Sequence, residues 1–303
     1  MKIGFVGLGK MGSQIVEKLI EAGHDVSVYD SNPELVMQTE KFGAHGTQSR
    51  EALVSNVGEQ AIIWLMIPAG VVENEVQEYI NLLQPGSTLI DGGNSNYHDT
   101  LRRAERCKDA GIVYMDVGTS GGVLGLENGF SLMVGGDKMT YDRLLPAFEA
   151  LTHPSGGCSY MGPSGYGHYV KMIHNGIEYS IMQSYAEGYD LLKYGPLPEI
   201  DLATVAKIWQ QGSIIQSTLN GLIEKILVDN PRLDGIDGYV DASGEGAWTL
   251  EAARDAGIKM PALEQAIAVR AASQQGNIFF ATKLLAVMRH SFGGHSINNR
   301  GPQ

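Results

Sequence analysis

The sequence predicts an α/β fold in two parts: a doubly wound parallel sheet over residues 1–165, then an all-α domain over 166–290. Three observations lead there. Short apolar runs alternate with helical patterns through the first half of the chain, which requires a parallel sheet covered on both faces. Beyond about residue 165 only helical periodicity continues. The length, 303 residues, allows two domains and leaves little room for a third.

In chain order, Lys2–Val6 reads as a strand and Gly7–Gly12 as a tight turn. Ser13–Ala22 reads as a helix stopped by Gly23. Asp25–Tyr29 is the second strand, and Ala61–Ile67, closed by Pro68, is another. A helix over Val71–Leu83, a strand over Thr88–Asp91 and a helix over Thr100–Ala110 follow. Val113–Val117 and Leu132–Val134 complete the strands. Gly162-Pro163-Ser164-Gly165 breaks the chain and marks the domain boundary. Helices are then expected at Gly167–Tyr194, Asp201–Asp229, Gly246–Ala256 and Pro261–His290. The tail, 291–303, is Gly/Asn-rich and aperiodic, either frayed or held by a partner.

Composition narrows the function classes. Apolar residues make up 43 % and the net charge is −12, so nucleic acid is an improbable partner. An anionic small molecule still fits if a few cations converge. The two cysteines, Cys107 and Cys158, make no metal or redox spacing. No signal peptide and no apolar run of membrane-spanning length is evident, which points to a soluble cytoplasmic protein with no membrane partner.

Gly7-Leu8-Gly9-Lys10-Met11-Gly12 is G-x-G-x-x-G between a strand and a helix, and Asp30 ends the next strand. That context is the dinucleotide-binding fingerprint of a Rossmann-like sheet. Gly7 permits the turn, Gly9 admits the pyrophosphate to backbone N–H groups, and Gly12 lets the helix lie against the strand. The helix N-terminus supplies donors and a positive dipole end. A carboxylate at Asp30 accepts from a ribose diol and repels a 2′-phosphate, so NAD is favoured, with NADP as a weaker alternative. Asp30 alternatively only caps the turn.

The most informative stretch is Gly165 to Tyr179. On a helix, Lys171, His174, Asn175 and Glu178 share an arc of roughly 100°. Val170, Ile173 and Ile177 fall on another face, where they are expected to pack. Such a polar arc is either a solvated face with an ion pair or a site. In a closed site a lysine tends toward neutral and a carboxyl toward protonated, so Lys171 suits an alcohol's proton and Glu178 a proton at carbon.

Together these residues resemble the decarboxylating 6-phosphogluconate dehydrogenases of the shorter, about 300-residue type. The resemblance rests on Gly7–Gly12, on Asp91-Gly92-Gly93-Asn94-Ser95, on Ser120-Gly121-Gly122, on Lys171-Met172-Ile173-His174-Asn175-Gly176-Ile177-Glu178-Tyr179, and on Arg289 with His295. It implies the substrate 6-phospho-D-gluconate and the product D-ribulose 5-phosphate. Lys171 is implied as the base and Glu178 as the acid. No metal is implied, because a β-keto acid with a cation at its carbonyl already has an electron sink.

By the same resemblance Asn94 stands between cofactor and substrate, and Met66, Ile67 and Pro68 flank the cofactor. Ser120, Gly121 and Gly122 meet the substrate carboxylate, and His174, Asn175 and Tyr179 bind substrate oxygens. Arg270 and Arg289 are the candidates for the phosphate, for which arginine's planar fork is suited. The Arg289–His295 element is implied to reach a neighbouring subunit, making a homodimer or a dimer of dimers.

The chain departs from the pattern in two places. Long members carry a duplicated helical domain and a lysine-bearing loop, whereas Asp241-Ala242-Ser243-Gly244-Glu245-Gly246-Ala247-Trp248 has no lysine. NADP-dependent members have Asn-Arg-Thr where this chain has Asp30-Ser31-Asn32. Two rival readings remain: a β-hydroxyacid dehydrogenase of the 3-hydroxyisobutyrate or tartronate-semialdehyde type, and a non-catalytic dinucleotide-binding sensor or scaffold. Glu178, His174 and the two arginines distinguish the first choice from the β-hydroxyacid dehydrogenase, and nicotinamide reduction with 6-phosphogluconate and NAD separates all three.

Overall fold

In the computed structural model of the chain, which describes residues 1–197, 199–241, 244–295 and 297, the first half is an eight-stranded sheet. Its elements begin β1 (Lys2–Val6), α1 (Lys10–Glu21), β2 (Asp25–Tyr29), α2 (Pro33–Glu40), β3 (His45–Gly46) and α3 (Arg50–Val57). Next come β4 (Ile62–Leu65), α4 (Ala69–Leu82), β5 (Thr88–Asp91), α5 (Tyr97–Asp109) and β6 (Val113–Ser120). A 3-10 turn (Gly122–Leu124), α6 (Gly125–Asn128), β7 (Ser131–Gly135), α7 (Lys138–Leu151) and β8 (Cys158–Gly162) complete it. The strand order is β3-β2-β1-β4-β5-β6-β7-β8.

The sheet buries both faces, as its continuous apolar strands require. On β1 and β4, Ile3, Phe5 and Trp64 join one core with Ile15, Val16 and Leu19 of α1 and Leu144, Phe148 and Leu151 of α7. The alternating residues Val6, Ile63 and Leu65 join the other, with Leu53, Val72, Val76 and Tyr79. β1 is hydrogen-bonded to β2 on one side and β4 on the other. The order therefore reverses at β1, and a crevice opens at the carboxyl ends of these strands.

The sheet is not wholly parallel: β7 runs antiparallel to β6, with Asp116 opposite Gly135. The tight Ser120-to-Phe130 connection explains this, since it has no room for a crossover helix of the length a parallel return needs. Four helices, α2, α3, the four-residue α6 and α7, lie where no helix is expected from the sequence. Asn32 caps α2 by accepting from the Glu34 amide, Ser49 caps α3 through Ala52, and Asp137 caps α7 through Thr140. In α7 the interior Pro146 reads as a breaker, but Leu144, Ala147, Phe148 and Leu151 are buried and hold the helix.

The helical half comprises α8 (Tyr166–Tyr194), α9 (Leu202–Trp209), α10 (Thr218–Asp229), α11 (Glu245–Asp255), α12 (Pro261–Gln274) and α13 (Phe280–Gly293). Two single helices expected from the sequence are each broken into two. α9 ends at Trp209 with Gln210 as its C-cap, Gly212 follows at φ +83°, and Ser217 caps α10 by accepting from the Asn220 amide. Gly276 at φ +92° separates α12 from α13. Asn220 bolts α9 to α10, donating to the Ala206 carbonyl at 2.8 Å and accepting from Tyr189 at 3.0 Å. The chain divides into two compact units, Met1–Met172 and Ile173–Gln303, and the division falls inside α8. No helix among the described residues is long and apolar enough to cross a membrane.

Candidate active site

At the end of β1 the geometry allows only glycine. A Cβ on Gly7, at φ +93°, would lie 2.3 Å from the Met66 carbonyl oxygen, and one on Gly12 would lie 2.0 Å from the Gly7 carbonyl oxygen. A Cβ on Gly9 would meet nothing within 4 Å, and no side chain caps the N-terminus of α1. A helix N-terminus without a side-chain cap, with open space at Gly9, forms a cradle for a dinucleotide's phosphates. Lys10 is exposed beside it and Met11 is half-buried against the core.

Asp30 does more than face the cradle. Its Oδ2 accepts from the Leu8 amide at 2.7 Å and its Oδ1 from the Asn32 amide at 2.8 Å. The capping role left open by the sequence is thus present. A carboxylate has about four acceptor positions, so capacity for a ribose hydroxyl remains. The Leu8 amide is already committed to Asp30, and the Leu8 side chain is buried.

Met66 and Ile67 follow β4 half-buried, one against each core, and Pro68 is exposed at the start of α4. Asn94 is exposed on the turn after β5, between buried Gly93 and Ser95. That turn is held from below by Asp91. Its carboxylate accepts from the Gly93 amide at 3.2 Å, the Ser95 hydroxyl at 2.7 Å and the Tyr114 phenol at 3.0 Å. Arg103 lies 3.6 Å from Asp91 and donates to Ser95 and Glu73. Burial works against the Arg103 charge, but Tyr114, Glu73 and Asp91 outweigh it and hold the guanidinium pKa above its ordinary value. Ser120 ends β6, with Gly121 at φ +133° and Gly122 at φ +55° after it.

Lys171 reaches this unit on the first turns of α8. Asp116 of β6 accepts from the Gly165 amide at 2.8 Å and the His168 amide at 2.9 Å, an anion at the helix N-terminus. His168 Nε2–H donates to the Asp91 carbonyl at 3.1 Å, and Nδ1 pairs with the Thr100 hydroxyl at 2.7 Å. Gly118 lets the Lys171 stem lie on β6, since a Cβ there would come within 2.4 Å of the Lys171 Cβ. Lys171 is buried.

In the second unit, His174 Nδ1 lies 3.1 Å from Asn175 Oδ1 and 3.8 Å from Glu178 Oε2. Asn175 and Tyr179 are buried, and Glu178 is partly exposed. The Arg270 guanidinium carbon sits 3.3 Å over the Tyr179 ring centroid. Arg270 is 1 % exposed, and none of its three side-chain nitrogens has a hydrogen-bond partner among the described residues. Burial, then the like charge of Arg289, lowers its pKa to about 10 against the opposing pull of Tyr179, Glu178 and Glu245.

Two expectations need correction. The packing face of α8 is the polar one: Lys171, Met172, Asn175 and Tyr179 are buried, whereas Val170 and Ile173 are half-buried and Ile177 is 52 % exposed. The buried stripe continues at i+3 and i+4 through Met182, Ala186 and Tyr189, and this longer register outweighs three nearby aliphatic residues. The tail is also not aperiodic from its start. α13 continues to Gly293, Gly294 closes it at φ +65°, and His290 Nδ1 donates to the His295 carbonyl at 2.6 Å. Arg289 lies buried within α13 itself. Ser296, residues 298–303, and Ala242 and Ser243 of the loop without lysine lie outside the described residues.

The sequence reading missed Asp91, Asp116 and His168, which hold the Asn94 turn and the start of α8 in place. Asp91 and Asp116 carry a signal, since each is a carboxylate inside an otherwise apolar strand, and buried carboxylates occur where something pairs with them. No group of three or more His, Cys, Asp or Glu among the described residues is placed to hold a metal ion.

Comparison with known proteins gives the following. Residues 2–162 match the NAD binding domain of 6-phosphogluconate dehydrogenase, and residues 167–291 match the 6-phosphogluconate dehydrogenase C-terminal domain. The NAD(+)-dependent, decarboxylating 6-phosphogluconate dehydrogenase of Haloferax volcanii is 40 % identical over 299 residues, covering 98 % of both chains. The enzyme of the same description from Bacillus subtilis is 35 % identical over 283 residues, and the match spans 60 % of its length. Among solved structures, Plasmodium falciparum 6-phosphogluconate dehydrogenase, described apo, with NADP+ and with 6-phosphogluconate, has a TM-score of 0.83 at 30 % identity. It is matched over all of this chain and 67 % of its own. Mycobacterium tuberculosis 3-hydroxyisobutyrate dehydrogenase, matched over 94 % of this chain and 98 % of its own, has a TM-score of 0.74 at 21 % identity, a likeness of fold alone.

Proposed function

The chain belongs to the 6-phosphogluconate dehydrogenase family, and from that premise we propose that it oxidises and decarboxylates 6-phospho-D-gluconate to D-ribulose 5-phosphate and CO2, reducing NAD. The observation that carries the reading is Lys171, buried on the first turns of α8 with its stem against Gly118 of β6. In the second unit Asn175 and Tyr179 are buried, Glu178 is partly exposed, and Arg270 lies over the Tyr179 ring with no hydrogen-bond partner for its side-chain nitrogens among the described residues.

When bound at the α1 cradle, the nicotinamide supplies a hydride acceptor. The rest falls to side chains. Lys171 takes the C3 hydroxyl proton as the C3 hydride departs. The 3-keto acid then loses its carboxylate as CO2, and the electron pair moves to the C3 oxygen, where the protonated Lys171 stabilises it and returns the proton. Glu178 gives a proton to the former C2 of the resulting enediol, which becomes C1 of the product, and Lys171 withdraws the hydroxyl proton on the former C3 as the ketone forms there. Asn94, Ser120, Gly121, Gly122, His174 and Asn175 orient the sugar acid, and Arg270 and Arg289 hold its phosphate.

The reading of NAD over NADP is supported by the Asp30 carboxylate, whose remaining lone pairs suit a diol and repel a phosphate. A homodimer is supported by Ile177 and Ile181, which are 52 % and 43 % exposed along α8 and would suit a second copy. A reducing compartment, the cytoplasm, suits two free thiols.

The test is direct. Purified protein with 6-phosphogluconate and NAD is expected to produce reduced nicotinamide and CO2 in equal amounts, with slower turnover on NADP. Lys171→Met is expected to bind both ligands by calorimetry and to lose hydride transfer by about 10³-fold or more. Reduction without CO2, or a Lys171→Met variant that still turns over well, would remove the assignment.

A further inference from the structure

The second unit contains a buried carboxylate that the reaction above does not use. Glu245 opens α11 and is 4 % exposed. Its Oε2 is sealed from solvent and has no hydrogen-bond partner among the described residues. Arg270 is in a similar condition, with no hydrogen-bond partner among the described residues for any of its three side-chain nitrogens.

The two are neighbours around one ring. Gly246, the residue after Glu245, lies so close to Tyr179 that a Cβ there would be 2.8 Å from Cε2. Its other neighbour is Ile267, one helical turn before Arg270, and the Arg270 guanidinium lies over the same Tyr179 ring. Glu245 and Arg270 sense each other's charge, yet no ion pair joins them among the described residues. Buried opposite charges left apart cost more than a pair, and a native fold keeps such groups where a ligand completes them. The completing molecule must offer acceptors to Arg270 and a hydrogen-bond donor to Glu245. A phosphate ester with a hydroxyl on the adjoining carbon offers both.

We propose that Glu245 is a specificity-determining residue whose carboxylate accepts the hydroxyl hydrogen of the carbon next to the phosphate ester while Arg270 holds the phosphate. The proposal rests on the 6-phosphogluconate reading and extends it to the far end of the substrate. It makes the site selective for a hydroxylated chain, because the analogue lacking that hydroxyl leaves the buried carboxylate unsatisfied.

The experiment compares wild type, Glu245→Gln and Glu245→Ala on 6-phospho-D-gluconate and on its 5-deoxy analogue. The wild type is expected to lose roughly 10- to 150-fold in kcat/KM on the deoxy compound, the range of a charged hydrogen bond. In Glu245→Ala the two substrates are expected to agree within about twofold, because the variant has lost the natural substrate's advantage. Glu245→Gln keeps the shape and a neutral acceptor, so its penalty is expected to be at least about threefold smaller than that of the wild type. If Glu245→Ala fails to fold by circular dichroism, the glutamine variant decides. A residue that only balances the Arg270 charge would lower Tm and leave the deoxy penalty intact, and that result would overturn the proposal. So would a wild type indifferent to the missing hydroxyl. A wild type that turns over no 6-phosphogluconate overturns the functional reading first and this inference with it, which separates the two failures.

Discussion

At the scale of single residues the sharpest feature is Arg270, a buried guanidinium with no hydrogen-bond partner among the described residues. Its pKa is pushed down to about 10, chiefly through burial. The sign follows from linkage. A base whose folded pKa lies below its unfolded one holds fewer protons folded than unfolded between those values, so its burden on stability is full at neutral pH and eases as pH rises through that window. At 1.36 kcal/mol per pK unit the burden is on the order of 3 kcal/mol. A phosphate relieves it. Arg270→Met is therefore expected to keep or raise the Tm of the ligand-free protein, while KM for 6-phosphogluconate rises roughly 10- to 150-fold. In the wild type, kcat/KM is expected to fall above about pH 10 as Arg270 loses its proton. A Tm several degrees lower with KM unchanged would make Arg270 a structural residue. The sequence could nominate Arg270 because arginine's chemistry suits phosphate. It could not show Tyr179 beneath it or Glu245 beside it, because those contacts join residues far apart along the chain.

At the scale of elements, α8 shows what a sequence pattern carries and where it misleads. Its extent was legible, since Gly165 and the run to Tyr194 bound it clearly. Its orientation was not. Val170, Ile173 and Ile177 look like a packing face, and the helix instead turns Lys171, Asn175 and Tyr179 inward. The cause is tertiary: Asp116 holds the amides of Gly165 and His168, and Gly118 leaves space on β6 for the Lys171 stem. No local periodicity encodes a strand's carboxylate reaching a helix N-terminus. Gly118→Ala tests this. The new methyl would sit 2.4 Å from the Lys171 Cβ, so the lysine must shift while the dinucleotide cradle stays intact. The expected result is a fall in kcat of about 100-fold, with NAD affinity unchanged by titration. A kcat within about twofold of wild type would mean that the Lys171 position is not set by β6.

At the scale of the molecule, the sheet was legible because its strands are continuous apolar runs and its fingerprint fixes one crossover. The antiparallel β7 and helices α2, α3 and α7 were less so. Their caps at Asn32, Ser49 and Asp137 are short-range signals, and the breaks at Gly212 and Gly276 are single residues inside longer helical patterns. The same division by scale separates the ligands. The dinucleotide cradle is built wholly in Met1–Met172, from the carboxyl ends of β1, β4 and β5, whereas the two buried arginines belong to Ile173–Gln303. Ligands that bind only the native state slow local opening where they bind. Hydrogen exchange is therefore expected to separate them. NAD alone should slow exchange in peptides covering Gly7–Gly12 and Gly92–Ser95 and leave those covering Glu245, Arg270 and Arg289 unchanged. Inorganic phosphate alone should do the reverse. Protection by phosphate at Gly7–Gly12 only, with none at Arg270, would move the sugar phosphate out of the helical unit and remove both arginines from the site.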